Sequence, residues 1–114
     1  MTKEFIPYEQ ALELKALGFN EPCFKVYDTM GYVQDEQTML KMGLDYCLAP
    51  LYQQAFRWFR EKGYDVKVQK ESDGLYFGFY WTGAAWIIVG NGTYEQAELE
   101  CLKKLIQIVN EKSI

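Results

Sequence analysis

Arg57 and Arg60 stand three residues apart, a spacing that on a helix brings two guanidinium forks near one another. Each fork can make two parallel hydrogen bonds to a planar acid, so the pair would suit a phosphate or a carboxylate. The plainer account is solvation: both fall on the polar arc of an amphipathic segment, with Glu61 four residues after Arg57. Tyr52 and Trp58 flank that segment's apolar side, and Trp, Tyr and Arg together are the residue types that anchor binding hot spots. Further along, Tyr76-Phe77-Gly78-Phe79-Tyr80-Trp81 read as a strand puts Tyr76 and Tyr80 on one face and Phe77, Phe79 and Trp81 on the other. A sugar or a base could stack on such rings; a sheet covered on both sides, or a contact between copies, explains them as well. Glu98 is the remaining candidate, an acid inside the apolar sector of the last helical segment, where a carboxylate needs a partner or takes up a proton.

Reactive chemistry is otherwise scarce. The sequence has no histidine, which removes the usual neutral-pH proton shuttle and the commonest metal ligand. Cys23, Cys47 and Cys101 have no CxxC spacing, and zinc would need all three with an acid gathered from distant positions. The expectation is therefore no metal, no cofactor and no catalytic residue. An odd, widely spaced set of cysteines also argues for reduced thiols rather than a disulfide framework. Gly90-Asn91-Gly92-Thr93 precedes a helix, but the phosphate-loop Gly-Lys-Ser/Thr core and the dinucleotide fingerprint are missing, so a turn and a cap are the simpler roles.

The elements that must position these residues can be read from caps and periods. Pro7 to Leu17 reads as a helix closed by Gly18, and Cys23 to Asp28 as a short strand. Thr29 to Gln37 lacks a period and reads as a turn or loop, with a second strand expected within Thr38 to Cys47. Pro50 opens a second helix that ends near Gly63. With Leu51 at zero degrees, Tyr52, Ala55, Phe56, Trp58 and Phe59 fall in a sector of about 160 degrees, an apolar stripe that reads mostly as core, with Phe56 and Phe59 at its centre and Tyr52 and Trp58 at its margins, where an interface is the alternative. Asp65 to Lys70, Leu75 to Thr82 and Ala84 to Val89 read as three strands joined by Ser72-Asp73-Gly74 and Thr82-Gly83. Thr93 with Gln96 forms a candidate capping box for a last helix over Tyr94 to Asn110. The expected architecture over residues 1–114 is a single α+β domain, a mostly antiparallel sheet of about five strands packed by three helices.

Composition bounds the partners. The 114 residues are 49% hydrophobic and 17% aromatic, the profile of a chain that folds. A net charge of -4 makes nucleic acid and anionic lipid poor partners. No apolar run is long enough to span a bilayer, and MTKEFIPYEQ turns polar at once, so a cytoplasmic protein without a membrane partner is expected.

Three blocks carry a resemblance: Leu48 to Lys62, LAPLYQQAFRWFREK; Phe5 to Phe24, FIPYEQALELKALGFNEPCF; and Tyr94 to Val109, YEQAELECLKKLIQIV. Together they resemble a family of small uncharacterised proteins of Bacteroides-type gut bacteria and their phages. The resemblance implies a bacterial or prophage setting and transfers no site. Three functions fit: a protein-binding or accessory module, a small-molecule enzyme with an aromatic pocket and a carboxylate such as Glu98, and a structural homodimer. The candidate binding residues are Tyr52, Arg57, Trp58, Arg60, Tyr76, Tyr80 and Glu98.

Overall fold

The computed structural model describes residues 5–112. The fold is α+β with antiparallel strands, in ten elements: α1 (Tyr8–Ala16), β1 (Lys25–Tyr27), β2 (Val33–Gln34), α2 (Glu36–Met42), β3 (Cys47–Ala49), α3 (Tyr52–Glu61), β4 (Val66–Lys70), β5 (Tyr76–Trp81), β6 (Trp86–Gly92) and α4 (Tyr94–Lys112). The strands form two three-stranded sheets, ordered β2-β1-β3 and β4-β5-β6. Six strands and four helices among the described residues thus exceed the five and three expected. The chain divides after Gln54 into two compact units, each with one of the sheets.

In the first unit, β1 is the centre strand, antiparallel to both β2 and β3. Its core is built from Ile6, Leu14, Val26 and Ala49, all fully buried. The Tyr27 hydroxyl is buried with them and donates a 2.6 Å hydrogen bond to the Ile6 carbonyl, which satisfies a group that would otherwise be costly to bury.

Two expectations for this unit are corrected. The second strand expected within Thr38 to Cys47 is instead α2 followed, after a loop, by β3. Glu36-Gln37-Thr38-Met39-Leu40-Lys41-Met42 is mostly good helix-forming residues, Asp35 precedes it, and Gly43 closes it in the left-handed conformation at φ 66°. Met39 alone is buried, so no apolar period announces the helix. The segment Thr29 to Gln37, expected to be a loop, contains β2. Asp28 ties that hairpin, accepting 2.9 Å bonds from the Met30 and Tyr32 N–H groups and a 3.0 Å bond from Gln34 Nε2. These bonds, that from Tyr32 first, hold its carboxyl below the ordinary range.

The second unit is a meander, β4-β5-β6, with α4 against it. Registered pairs place Gly78 of β5 opposite Gly90 of β6, and both look toward α4. A Cβ on Gly78 would lie 2.7 Å from Cys101 Sγ and 2.9 Å from the Ala97 carbonyl oxygen; one on Gly90 would lie 2.5 Å from Glu100 Cβ. The paired glycines form the floor on which the helix rests. This explains a further correction: β6 runs on through Gly90-Asn91-Gly92, which had read as a turn. The register shifts between Gly78 and Phe79, leaving Val89 as an extra residue between Gly90 and Ile88, and this bulge lets both Gly90 and Ile87 share the helix side.

The start of α4 is held as its sequence implied. Gln96 N–H donates to Thr93 Oγ1 at 3.1 Å, and Thr93 N–H donates to Gln96 Oε1 at 2.8 Å, a reciprocal capping box. Thr93→Ala should therefore lower stability by about 1 kcal/mol, and Thr93→Ser by much less. Urea midpoints of the two variants measure the difference, and equal losses would contradict the cap.

Candidate functional site

The faces of β5 are occupied differently. Gly78 shares its face with Tyr76 and Tyr80, and this is the side that meets α4. The Tyr76 ring lies 5.4 Å from that of Tyr94 in an edge-to-face arrangement. Tyr94 in turn hydrogen-bonds Glu98, one helical turn later. Burial pushes the Glu98 carboxyl up, and the Tyr94 bond partly opposes that shift. Three residues, Tyr76, Tyr94 and Glu98, thus form one cluster in which the acid has a partner and the rings pack. Tyr80 is half-buried on the same side.

The opposite face holds Phe77, Phe79 and Trp81, joined by their cross-strand partners. Trp81 pairs with Trp86 and Phe79 with Ile88 on β6, while Lys67 of β4 opposes Phe79. The Phe77 and Phe79 rings are stacked at 6.4 Å, and Trp81 and Trp86 are tilted at 5.3 Å. Lys67 Nζ lies 5.2 Å from the Phe79 centroid and 4.6 Å from that of Trp86, within the range of cation–π attraction. Trp81 and Trp86 are each 37% exposed and Ile88 is 59% exposed. The arrangement is an aromatic surface with one cation set among its rings, suited to stacking or to apolar association.

Among the candidates from α3, Tyr52 and Trp58 are 7% and 8% exposed. Both margin residues are thus core, and the correction falls on the order: Phe56, ranked above them, is the half-buried one. The Trp58 ring meets Phe59 edge-on at 5.0 Å and carries the Lys62 ammonium 4.5 Å above it. Helical angles alone rank residues by direction and do not say how far the packed surface wraps round the axis. Arg57 and Arg60 are exposed. The candidates are therefore not one site. Tyr76 and Glu98 come together through Tyr94, the arginines lie on the outer arc of α3, and Tyr52 and Trp58 are buried.

Sequence reasoning missed Trp86, Ile88 and Lys67. Their signal was the run Trp86-Ile87-Ile88 and the alternation of β4, but only strand register puts them beside Phe79 and Trp81. It also missed a cleft of about 580 Å³ in the first unit, lined by Lys15, Phe19, Glu36, Tyr46 and Cys47 among others. There the Tyr46 hydroxyl donates to Glu36 Oε2 at 2.9 Å, a bond that raises the Tyr46 pKa.

The thiols are poor nucleophiles. Burial is the leading cause in each case: it pushes Cys101 up to about 12 and Cys23 up to about 11, and it raises Cys47, so all three are thiols at neutral pH. Among the described residues no group of three or more Cys, Asp or Glu side chains could hold a metal ion, and no helix is long and apolar enough to cross a membrane. No family model, no curated protein and no solved structure matches this chain, so the functional reading rests on the geometry of these surfaces.

Proposed function

We propose that this protein is a recognition module that binds another protein through the aromatic face of the β4-β5-β6 sheet. The observation that carries the reading is the clustering of Trp81, Trp86 and Ile88, all exposed, with Phe77 and Phe79 on one face of the sheet. Exposed apolar surface rimmed by polar residues favours association, and tryptophan is the residue most enriched where binding energy concentrates. Lys67 adds a cation already desolvated on one side by the rings, which favours a partner that brings an acid or further aromatic surface. An accessory role in the bacterial or prophage setting that the resemblance implies belongs to the same proposal.

Trp81→Asp should weaken the partner by at least about 2 kcal/mol, roughly thirtyfold. The measurement is quantitative co-purification from the native cell, with Arg60→Glu on α3 as the comparison. Retained binding by Trp81→Asp, or loss confined to Arg60→Glu, would move the contact away from this face. Sedimentation of the purified chain covers self-association: a doubled mass that Trp81→Asp abolishes would make the partner a second copy.

A second reading, small-molecule binding, draws support from the cleft of the first unit, where Lys15, two carboxylates (Glu21 and Glu36), the Asn20 amide and the Tyr46 phenol line a hollow with Ala11, Phe19, Pro22 and Leu48. Its lining does not include Glu98, the carboxylate considered for an aromatic enzyme pocket, nor Tyr76, Tyr80 or Trp58.

A further inference from the structure

The two edges of the β4-β5-β6 sheet are unequal. β4, Val66-Lys67-Val68-Gln69-Lys70, carries two lysines, while β6, Trp86-Ile87-Ile88-Val89-Gly90-Asn91-Gly92, has neither a charge nor a proline. Natural sheets blunt their edges with lysine, proline or a covering element. β4 follows that rule, and β6 leaves Ile87 41% and Ile88 59% exposed. Among the described residues β6 pairs with β5 alone, so alternate residues along it aim their N–H and C=O groups away from the sheet.

Beside that edge runs a groove of about 300 Å³, with Ile87, Ile88 and Val89 on the strand side and Glu100, Lys103 and Lys104 on the helix side. Glu100 lies 3.7 Å from Lys103, so one acid and one base offset each other and the charge of Lys104 remains over. A strand edge flanked by a helix is the geometry in which an extended peptide gains affinity from main-chain bonds and selectivity from alternate side chains.

We propose that β6 and α4 take up an extended segment of a partner protein as an added strand, with an acidic side chain set against Lys104. The bulge at Val89 favours a short foreign segment over pairing between two copies of β6. A symmetric pair would have to run through the irregularity twice, whereas a short strand can end at it. This site adjoins the aromatic face and shares Ile88 with it, but it uses the main-chain edge of β6 and Lys104 rather than the rings. Its failure would leave that reading untouched, because the face is tested by partner capture with Trp81→Asp.

The probe is a short synthetic peptide of alternating valine and threonine with a central glutamate. Its counterparts carry lysine at the centre, or N-methyl groups on alternate amides. The glutamate peptide should slow hydrogen exchange at the Trp86–Val89 amides and bind about fivefold more tightly than the lysine peptide, the upper range for an exposed ion pair. N-methylation should abolish binding, and Lys104→Glu should remove or invert the preference for glutamate. Unchanged exchange along β6, equal affinity for the two peptides, or a preference indifferent to Lys104→Glu would each overturn the proposal. Slow β6 exchange in peptide-free protein of doubled mass would overturn it too, by assigning the edge to a second copy.

Discussion

Phe59→Ala should lower the free energy of unfolding by about 3 to 5 kcal/mol, the range for a large aromatic truncated in a packed interior. Phe59 has no exposed surface, and Trp58 meets its ring edge-on at 5.0 Å. Removing the ring therefore forfeits its transfer free energy, opens a cavity and strips Trp58 of a partner. Trp58→Ala should fall in the same range, since Trp58 is itself buried, with a further loss from the Lys62 ammonium above it. Phe56→Ala should cost less, because the half-buried Phe56 leaves a gap that water can enter. Urea denaturation of the three variants gives the order. A loss below about 1 kcal/mol at Phe59 would reject its place in the core, and a Phe56 loss equal to that of Phe59 would contradict the difference in burial.

Gly78→Val should be more damaging still. The backbone of Gly78 lies in an ordinary strand conformation, so the penalty is purely steric. The first added carbon would sit 2.7 Å from Cys101 Sγ and 2.9 Å from the Ala97 carbonyl oxygen, and the second contact is helix backbone, which cannot rotate aside. Alanine at this position should already cost about 3 kcal/mol, the upper end of ordinary overpacking, and the two extra methyls of valine carry it beyond that range. Loss of near-ultraviolet dichroism with retained far-ultraviolet signal would mark α4 lifting from the sheet. The pair Gly78→Ala with Cys101→Ala separates the two contacts: removing Sγ should restore part of the stability and leave the Ala97 clash in place. Full recovery would show the backbone contact to be slack. No recovery would show that the thiol never mattered.

The local chemistry of the chain was legible from its sequence wherever the signal lies in neighbouring residues. Thr93 and Gln96 announce the cap because both partners lie within one turn. Gly18 and Gly63 mark the ends of α1 and α3, and the period of two sorts Phe77, Phe79 and Trp81 from Tyr76 and Tyr80. The α+β class with antiparallel pairing follows from the same local signals, since three strands in short succession can only pair by reversing direction. α2 escaped notice because a helix that buries Met39 alone has no period to detect, although Asp35 and Gly43 stand at its ends.

Tertiary structure decided what sequence spacing leaves free. Alternation says that β5 has two aromatic faces and is symmetric between them. The helix breaks that symmetry by choosing the side with Gly78 and Gly90, because only there can its backbone approach closely. That choice covers Tyr76 and Tyr80, sets the Tyr76 ring against the Tyr94–Glu98 pair of α4, and leaves Trp81 facing outward. Strand register then adds Trp86, Ile88 and Lys67 to the outward face, and the bulge at Val89, which shifts every later side chain of β6 by one face, cannot be counted from composition. The physical reason is common to all of these: local propensity acts over a few residues, whereas a surface is defined by which residues remain after distant elements have packed.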